Sequence, residues 1–371
     1  MKFIKRFFKH TVRNFRRYLA AGLLCTAVLG GVVVYYGKKS AEMLECNYLQ
    51  LPEDTLPGAG PMRIAFVSDI HNNPNQLKKA IEQIKNAKPD LILLGGDFIM
   101  VNQRFMRTRW LINDLRELAE IAPVFAILGN QDYEKPGQLE RVLQTAEIPL
   151  LRNEARNWET PTGGTVCIVG LGDWNEGDED PHSCMLPVGE EESAVLLLSH
   201  DPESRWLLRQ YDWDLMLSGH THGGQIGNPF KTPTQFISFR SSMPAGLFDF
   251  EGGRSVFVSR GLGSICGMRF FCPPEINIID IGDRSSLPAT AEEEESADSE
   301  TPAETDTPQP SEAQPEQAEE STPEQQDELP APATDTELPP PPPAPADDTG
   351  LDTPPPAPAD DSIIPDLPMP A

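Results

Sequence analysis

RIAFVSDIH, residues 63–71, carries an apolar run directly into Ser68, Asp69 and His71. The same design recurs in LILLGGD (91–97), VFAILGNQD (124–132), AVLLLSHD (194–201) and LMLSGHTH (215–222). Short runs rich in Val, Ile and Leu, separated by longer amphipathic stretches, read as buried strands alternating with helices. We expect strands at Arg63–Val67, Leu91–Leu94, Val124–Leu128, Val166–Leu171, Ala194–Leu198, Asp214–Leu217, Ser255–Ser259 and Ile276–Ile281, with helices at Asn75–Ala87 and Thr108–Ile121. The class is α/β. In open α/β sheets, ligands bind beyond the carboxyl ends of the strands, where these polar residues gather.

The residue types at those ends suit a hard divalent cation, which takes oxygen and imidazole ligands converging from separate segments. Asp69 and His71 are two apart, so an extended backbone points both to one side. His220 and His222 repeat that spacing. Asp97 follows Gly95 and Gly96, and Asn130 follows Gly129, so backbone can approach a metal or phosphate closely. Taken singly, each residue has a structural explanation as a helix cap, a turn residue or a packed histidine. Five strand ends of one design favour a site. Of six His, four stand at these ends, leaving His10 in a basic arm and His182 in a polar loop.

Composition divides the chain. From Ser285 to Ala371 there is no Lys or Arg, but 23 of the acidic residues and 21 of the 38 Pro. Such a stretch buries too little apolar surface to offset its ordering entropy, so 284–371 reads as a disordered, acidic, Pro-rich tail. PPPPP (339–343) is compatible with polyproline II, and a solvated spacer is the simpler reading. The net charge of −27 falls to −4 without the tail, so the folded part is nearly neutral, carries no strong positive charge, and nucleic acid is not an expected partner.

At the other end, Lys2, Lys5, Arg6, Lys9, Arg13, Arg16 and Arg17 form a basic arm (1–17) before an uncharged run, 18–36. At helical rise that run spans roughly 28 Å, the hydrocarbon thickness of a bilayer. We read it as a transmembrane anchor in preference to a cleaved signal. Arg16 and Arg17 before Tyr18 and Leu19 also resemble a twin-arginine export signal. Residues 37–61 read as a linker and 62–283 as the folded domain. The six Cys lack CxxC spacing, and buried thiols are the default reading.

The series SDIH (68–71), GGD (95–97), GNQD (129–132), SHD (199–201) and GHTH (219–222) resembles the calcineurin-like metallophosphoesterase family. GHTHGGQIGNP (219–229), SRGLG (259–263), Arg269 and PPEI (273–276) resemble a narrower, membrane-anchored group that includes UDP-2,3-diacylglucosamine pyrophosphatases of lipid A synthesis. The resemblance implies a two-sheet α/β/β/α sandwich. It also implies a first metal at Asp69, His71 and His222, a second at Asn130, His200 and His220, and Asp97 bridging them. Arg269 is expected to bind substrate, and Asp97, Asn130, Gln131 and Asp132 to be catalytic. Two cations about 3.5–4 Å apart polarise a phosphoryl group and activate water near neutral pH. Manganese is the expected metal, with iron or zinc compatible.

Gln131 departs from the family pattern by standing where the His of a GNHD motif usually protonates the leaving oxygen, paired with the next acid, here Asp132. An amide donates a hydrogen bond but has no proton to transfer. The expected substrate therefore has a good leaving group and, given the anchor, is lipid-linked, such as UDP-2,3-diacylglucosamine. A broad, outward-facing phosphodiesterase is the alternative enzyme. An inactive metal-binding module presenting its tail to a partner is the alternative of another class. Seven basic residues before the apolar run place the body outside the cytoplasm by the positive-inside rule, whereas a nucleotide-linked lipid argues for the cytoplasmic face.

Overall fold

The computed structural model describes residues 2–100, 109–185, 194–227 and 241–286. The expected disordered tail from 287 onward, and the side chains of the basic arm up to Arg13, lie outside the described residues.

Two mixed sheets form the body. In order across the first lie β1 (Glu45–Leu51), β11 (Glu275–Ile281), β2 (Met62–Val67), β3 (Leu91–Leu94) and β4 (Val124–Ala126). The second runs β5 (Glu154–Glu159), β6 (Thr165–Gly170), β7 (Ala194–Leu198), β8 (Leu215–Ser218), β10 (Ser255–Val258) and β9 (Gly246–Asp249). All eight expected strands are present, with ends shifted by at most two residues.

Period-2 alternation sorts their side chains into layers. Ile64, Phe66, Leu91 and Leu93 meet Ile168, Leu196, Leu198 and Leu217 between the sheets. Their neighbours Ala65, Val67, Ile92 and Leu94 face outward onto α2 (Pro74–Ala87), α3 (Arg109–Ile121) and α4 (Pro136–Thr145). On the far side Val169, Leu197, Met216 and Val258 pack under Trp213, Leu208 and the short α5 (Pro181–Met185). Each fully buried Leu, Ile or Val contributes about 1.5–3 kcal/mol. The sandwich expectation holds, although among the described residues the outer layer on the second sheet consists of one helical turn and 3-10 turns rather than long helices.

Helix α2 starts where its sequence allows. The Asn73 side chain accepts from the Gln76 amide and Pro74 occupies the first turn, while Leu77, Ala80, Ile81 and Ile84 form the buried stripe.

The linker expectation for 37–61 is corrected. Helix α1 (Lys2–Ala41) continues through residue 41, and β1 then pairs in parallel with β11 over seven residues, Glu45 opposite Glu275 through Leu51 opposite Ile281. Leu56 and Ala59 are fully buried in the inter-sheet core. Strands β5 and β9 were likewise not expected. All six cysteines are unpaired, with Cys167, Cys184 and Cys272 buried.

Within α1, Arg17–Ala41 is long and apolar enough to cross a membrane, and none of its apolar window is buried. Leu23, Leu24, Val28, Leu29 and Val32 are all exposed.

Candidate metal centre

The turns after β2, β3 and β8, with the loop after β7, bring the expected ligands together. Asp69, His71, Asp97, His220 and His222 all adopt positive φ, between 48° and 66°. Left-handed backbone costs on the order of 1–3 kcal/mol per non-glycine residue and concentrates at functional sites. Hydrogen bonds between the turns hold it: Asp69 N–H donates to the Gly96 carbonyl (2.9 Å) and His71 N–H to that of Asp97 (3.0 Å). Two glycines permit the close approach. A Cβ at Gly129 would collide with Oδ1 of Asp97, and one at Gly219 with Oδ2 of Asp69.

Two donor groups result, Asp69 with His71 and His222, and Asp69 with Asp97 and His200, each with ligand atoms within 4.8 Å of one another. Nε2 of His222 lies 3.2 Å from Oδ1 of Asp69, and Nε2 of His71 lies 3.7 Å from it. Oδ1 of Asp97 accepts from the Gln131 amide at 2.8 Å, leaving Oδ2 at 3.3 Å from Nε2 of His200 and 3.6 Å from Nε2 of His71. Beside these, Nδ1 of His220 lies 3.0 Å from Oδ1 of Asn130, and the His200 and His220 rings meet edge to face at 5.2 Å. Asp69 therefore adjoins both groups, which the sequence did not indicate. His182, by contrast, is exposed on α5.

Second contacts aim the rings. Nδ1 of His200 is 2.7 Å from the Gly95 carbonyl, and Nδ1 of His71 is 3.3 Å from that of Ile99. Each ring thus presents Nε2 to the carboxylates. Ser68 Oγ donates to Oδ2 of Asp69 at 2.6 Å, and the His220 amide donates to both Asp69 oxygens.

The donor set fits divalent metal. Nε2 of His71 and Nε2 of His222 lie 2.9 Å apart, so both rings direct that nitrogen into the same space beside Asp69. Nε2 of His200 is buried and has no hydrogen-bond partner among the described residues. Burial opposes charge on Asp69 and Asp97, yet the surrounding imidazoles outweigh it and hold both carboxyls below their ordinary value. Burial likewise opposes charge on His200, and Asp97 and Asp69 nevertheless raise it well above the usual imidazole value. Carboxylates that draw this much positive charge into a buried space are the environment a metal ion fills.

Two of the expected catalytic and substrate-binding residues are fully buried. Asp132 is fully buried, and its carboxylate accepts from the amides of Gly129 (3.0 Å), Ile99 (3.2 Å) and Phe98 (3.3 Å). It ties the Asp97 turn to the Asn130 turn. Arg269, expected to bind substrate, is also fully buried. Its guanidinium donates to the carbonyls of Arg260 (2.7 Å), Gly263 (3.0 Å), Cys272 (3.4 Å) and His222 (3.5 Å). A residue the sequence left without a role is Asp201, whose Oδ2 stands 3.6 Å from Nε2 of His220. Its place beside His200 in SHD was the available signal.

A buried carboxylate and imidazole cluster at strand ends, built to gather cations around a phosphoryl group, is the equipment of a metal-dependent phosphohydrolase. Comparison with known proteins agrees. The profile described as calcineurin-like phosphoesterase matches residues 62–224, and the chain belongs to that family, whose members bind two divalent metals. Phosphodiesterase YaeI of Escherichia coli is 36% identical over 236 residues, covering 60% of this chain and 83% of its own. The uncharacterized metallophosphoesterase YkuE of Bacillus subtilis is 28% identical, with 72% and 97% covered. UDP-2,3-diacylglucosamine pyrophosphatase LpxG of Chlamydia muridarum is 29% identical, with 59% and 83% covered.

Proposed function

We propose that this chain is a membrane-anchored hydrolase with a dinuclear metal centre, acting on a lipid-linked phosphoester or pyrophosphate. UDP-2,3-diacylglucosamine, cleaved to UMP and the lipid 1-phosphate, is the first substrate to test. The observation that carries the dinuclear reading is the Asp97 carboxylate, whose Oδ2 lies between the Nε2 atoms of His71 and His200. Asp69, His71 and His222 would hold one cation and Asn130, His200 and His220 the other, with Asp97 shared. When bound, two such ions neutralise phosphoryl oxygens and lower the pKa of water; manganese, iron and zinc all suit the oxygen and nitrogen donors.

The chain's own residues supply orientation. Gln131 holds Asp97 through its backbone N–H, and it is half-buried next to Asn130 in the chain; its side-chain amide would donate to a departing oxygen without protonating it. Asp201 steadies His220. The exposed apolar helix within α1 supports the membrane reading, and the diacylglucosamine pyrophosphatase among the relatives supports the substrate. The test is full-length protein in detergent micelles with manganese, comparing UMP release from UDP-2,3-diacylglucosamine with hydrolysis of an aryl phosphodiester. Turnover of the diester alone would leave a phosphodiesterase and remove the lipid substrate.

The second reading, an outward-facing broad phosphodiesterase, is favoured by the basic residues preceding the apolar run and by the phosphodiesterase named among the relatives. Protease added outside sealed, right-side-out vesicles separates the two: digestion of the body supports this reading, and protection supports the nucleotide-lipid substrate.

A further inference from the structure

Anchor and metal centre meet on one short segment. The Arg269 amide donates to the carbonyl of Gly37 at 2.9 Å, near the end of α1. Gly37 is buried against Phe270, whose Cζ would lie 2.6 Å from a Cβ there. The Tyr36 ring packs on Phe270 and Phe271 at 6.3 and 5.3 Å. The same segment reaches the site. Phe270 N–H donates to Gln225 O (2.9 Å) and Gly227 N–H to Phe270 O (2.6 Å), bridging Ile226 to Phe270 directly after the His222 turn. Arg269 inserts its guanidinium behind His222. The apolar helix is therefore fixed to the ligand loop and is no loose tether.

With α1 read as a membrane span, that connection puts the surface around the helix end beside the lipid. Around the helix end the body exposes Ile226 (48%), Ile265 (58%) and Phe271 (45%). Tyr35 and Tyr36 close the uncharged run, and exposed Lys38 and Lys39 follow at once. Aromatic rings and snorkelling lysines mark the level of lipid headgroups. Three large exposed apolar side chains, continuous with a helix of membrane-spanning character, suit the acyl boundary of a bilayer.

We propose that Ile226, Ile265 and Phe271 form an apolar collar that inserts into the bilayer interface and seats the His222 flank of the metal centre on the membrane. The proposal rests on the reading of α1 as a membrane span. It deepens the proposed function, because a site held at headgroup level meets a lipid-linked phosphate without extracting the lipid.

Two native thiols serve as probes. Cys25 lies in the apolar run and Cys266 beside Ile265, and both are exposed, whereas Cys46 is half-buried and the remaining three are buried. Full-length protein carrying either Cys266→Ser or Cys25→Ser is labelled with bimane and reconstituted in vesicles containing lipids with a doxyl quencher at shallow or deep acyl positions. Label on Cys25 should be quenched best by the deep quencher. Label on Cys266 should be quenched best by the shallow one, severalfold more than label on an added Pro161→Cys, which lies exposed on the turn before β6. Quenching at Cys25 with Cys266 no better than the Pro161→Cys control overturns the collar and leaves the anchor standing. No quenching at Cys25 overturns the anchor, and the collar with it.

Discussion

Nη2 of Arg269 sits 3.1 Å from Nδ1 of His222, behind the imidazole, while Nε2 of the same ring faces Asp69. Arginine is thus a strut for a ligand. An Arg269→Lys protein keeps the charge but not the fork of donors, and each buried carbonyl left unpaired costs about 1–3 kcal/mol. We expect a lower Tm and reduced metal retention, with KM for a soluble diester unchanged in the metal-loaded fraction. Unchanged Tm and metal content with a raised KM would instead return Arg269 to the substrate.

Asp97→Ala should lower the occupancy of both metal positions and abolish turnover. The loss in metal affinity should exceed the roughly 10–100-fold typical of an outer hydrogen-bond partner. Metal analysis of the purified protein checks it, with His182→Ala as the silent control. A protein with Ala at 97 that retains two metals and normal turnover removes the bridging assignment.

Gln131→His should act on one substrate class. Alkoxide departure, with a conjugate acid near pKa ~16, needs a proton, whereas a phosphate leaving group with pKa around 6 does not. General acid catalysis supplies about 10²–10⁴-fold, so hydrolysis of alkyl phosphodiesters should rise toward that range while UDP-linked substrates change little. Equal effects on both would show that residue 131 stands away from the leaving group.

Glu179 gives a pH signature separate from the metals. Burial pushes its carboxyl up to about 7, against the hydroxyls of Ser204 and Ser199, which donate to Oε1. Unfolded, the group titrates near 4.5. The folded state then keeps a proton that the unfolded chain has released, so this group's contribution to stability falls as pH rises through that window and levels off above it. Glu179→Gln retains the acceptor and removes the charge. Its Tm advantage over the parent should be absent near pH ~4.5 and complete above pH ~7. A pH-independent difference would assign the effect to packing.

The interior strands were legible because they are apolar runs ending in chemistry, and each lies inside a sheet or against a helix layer. What escaped were three of the four sheet edges; the fourth, β4, was legible because its apolar run leads into the Asn130 turn. β1 (ECNYLQL), β5 (EARNWE) and β9 (GLFD) all border solvent, so only one flank is paired and the sequence carries polar residues where a run would be expected. The partner of β1 lies more than 200 residues away, which no local pattern reveals. The ligands were readable as types at strand ends. The roles of Asp132 and Arg269 were not, because a carboxylate that caps three amides and a guanidinium caged by carbonyls look the same in sequence as groups awaiting a substrate. Only the burial separates them.

The parallel pairing of β1 with β11 also sets an order of events during synthesis. β1 is the first strand to leave the ribosome, directly behind the apolar helix, yet its partner is the last. β11 in turn joins β1 to β2. The opening strand must therefore wait, joined to the apolar helix, until residue 281 has emerged. The body cannot close its first sheet before the whole domain has been translated.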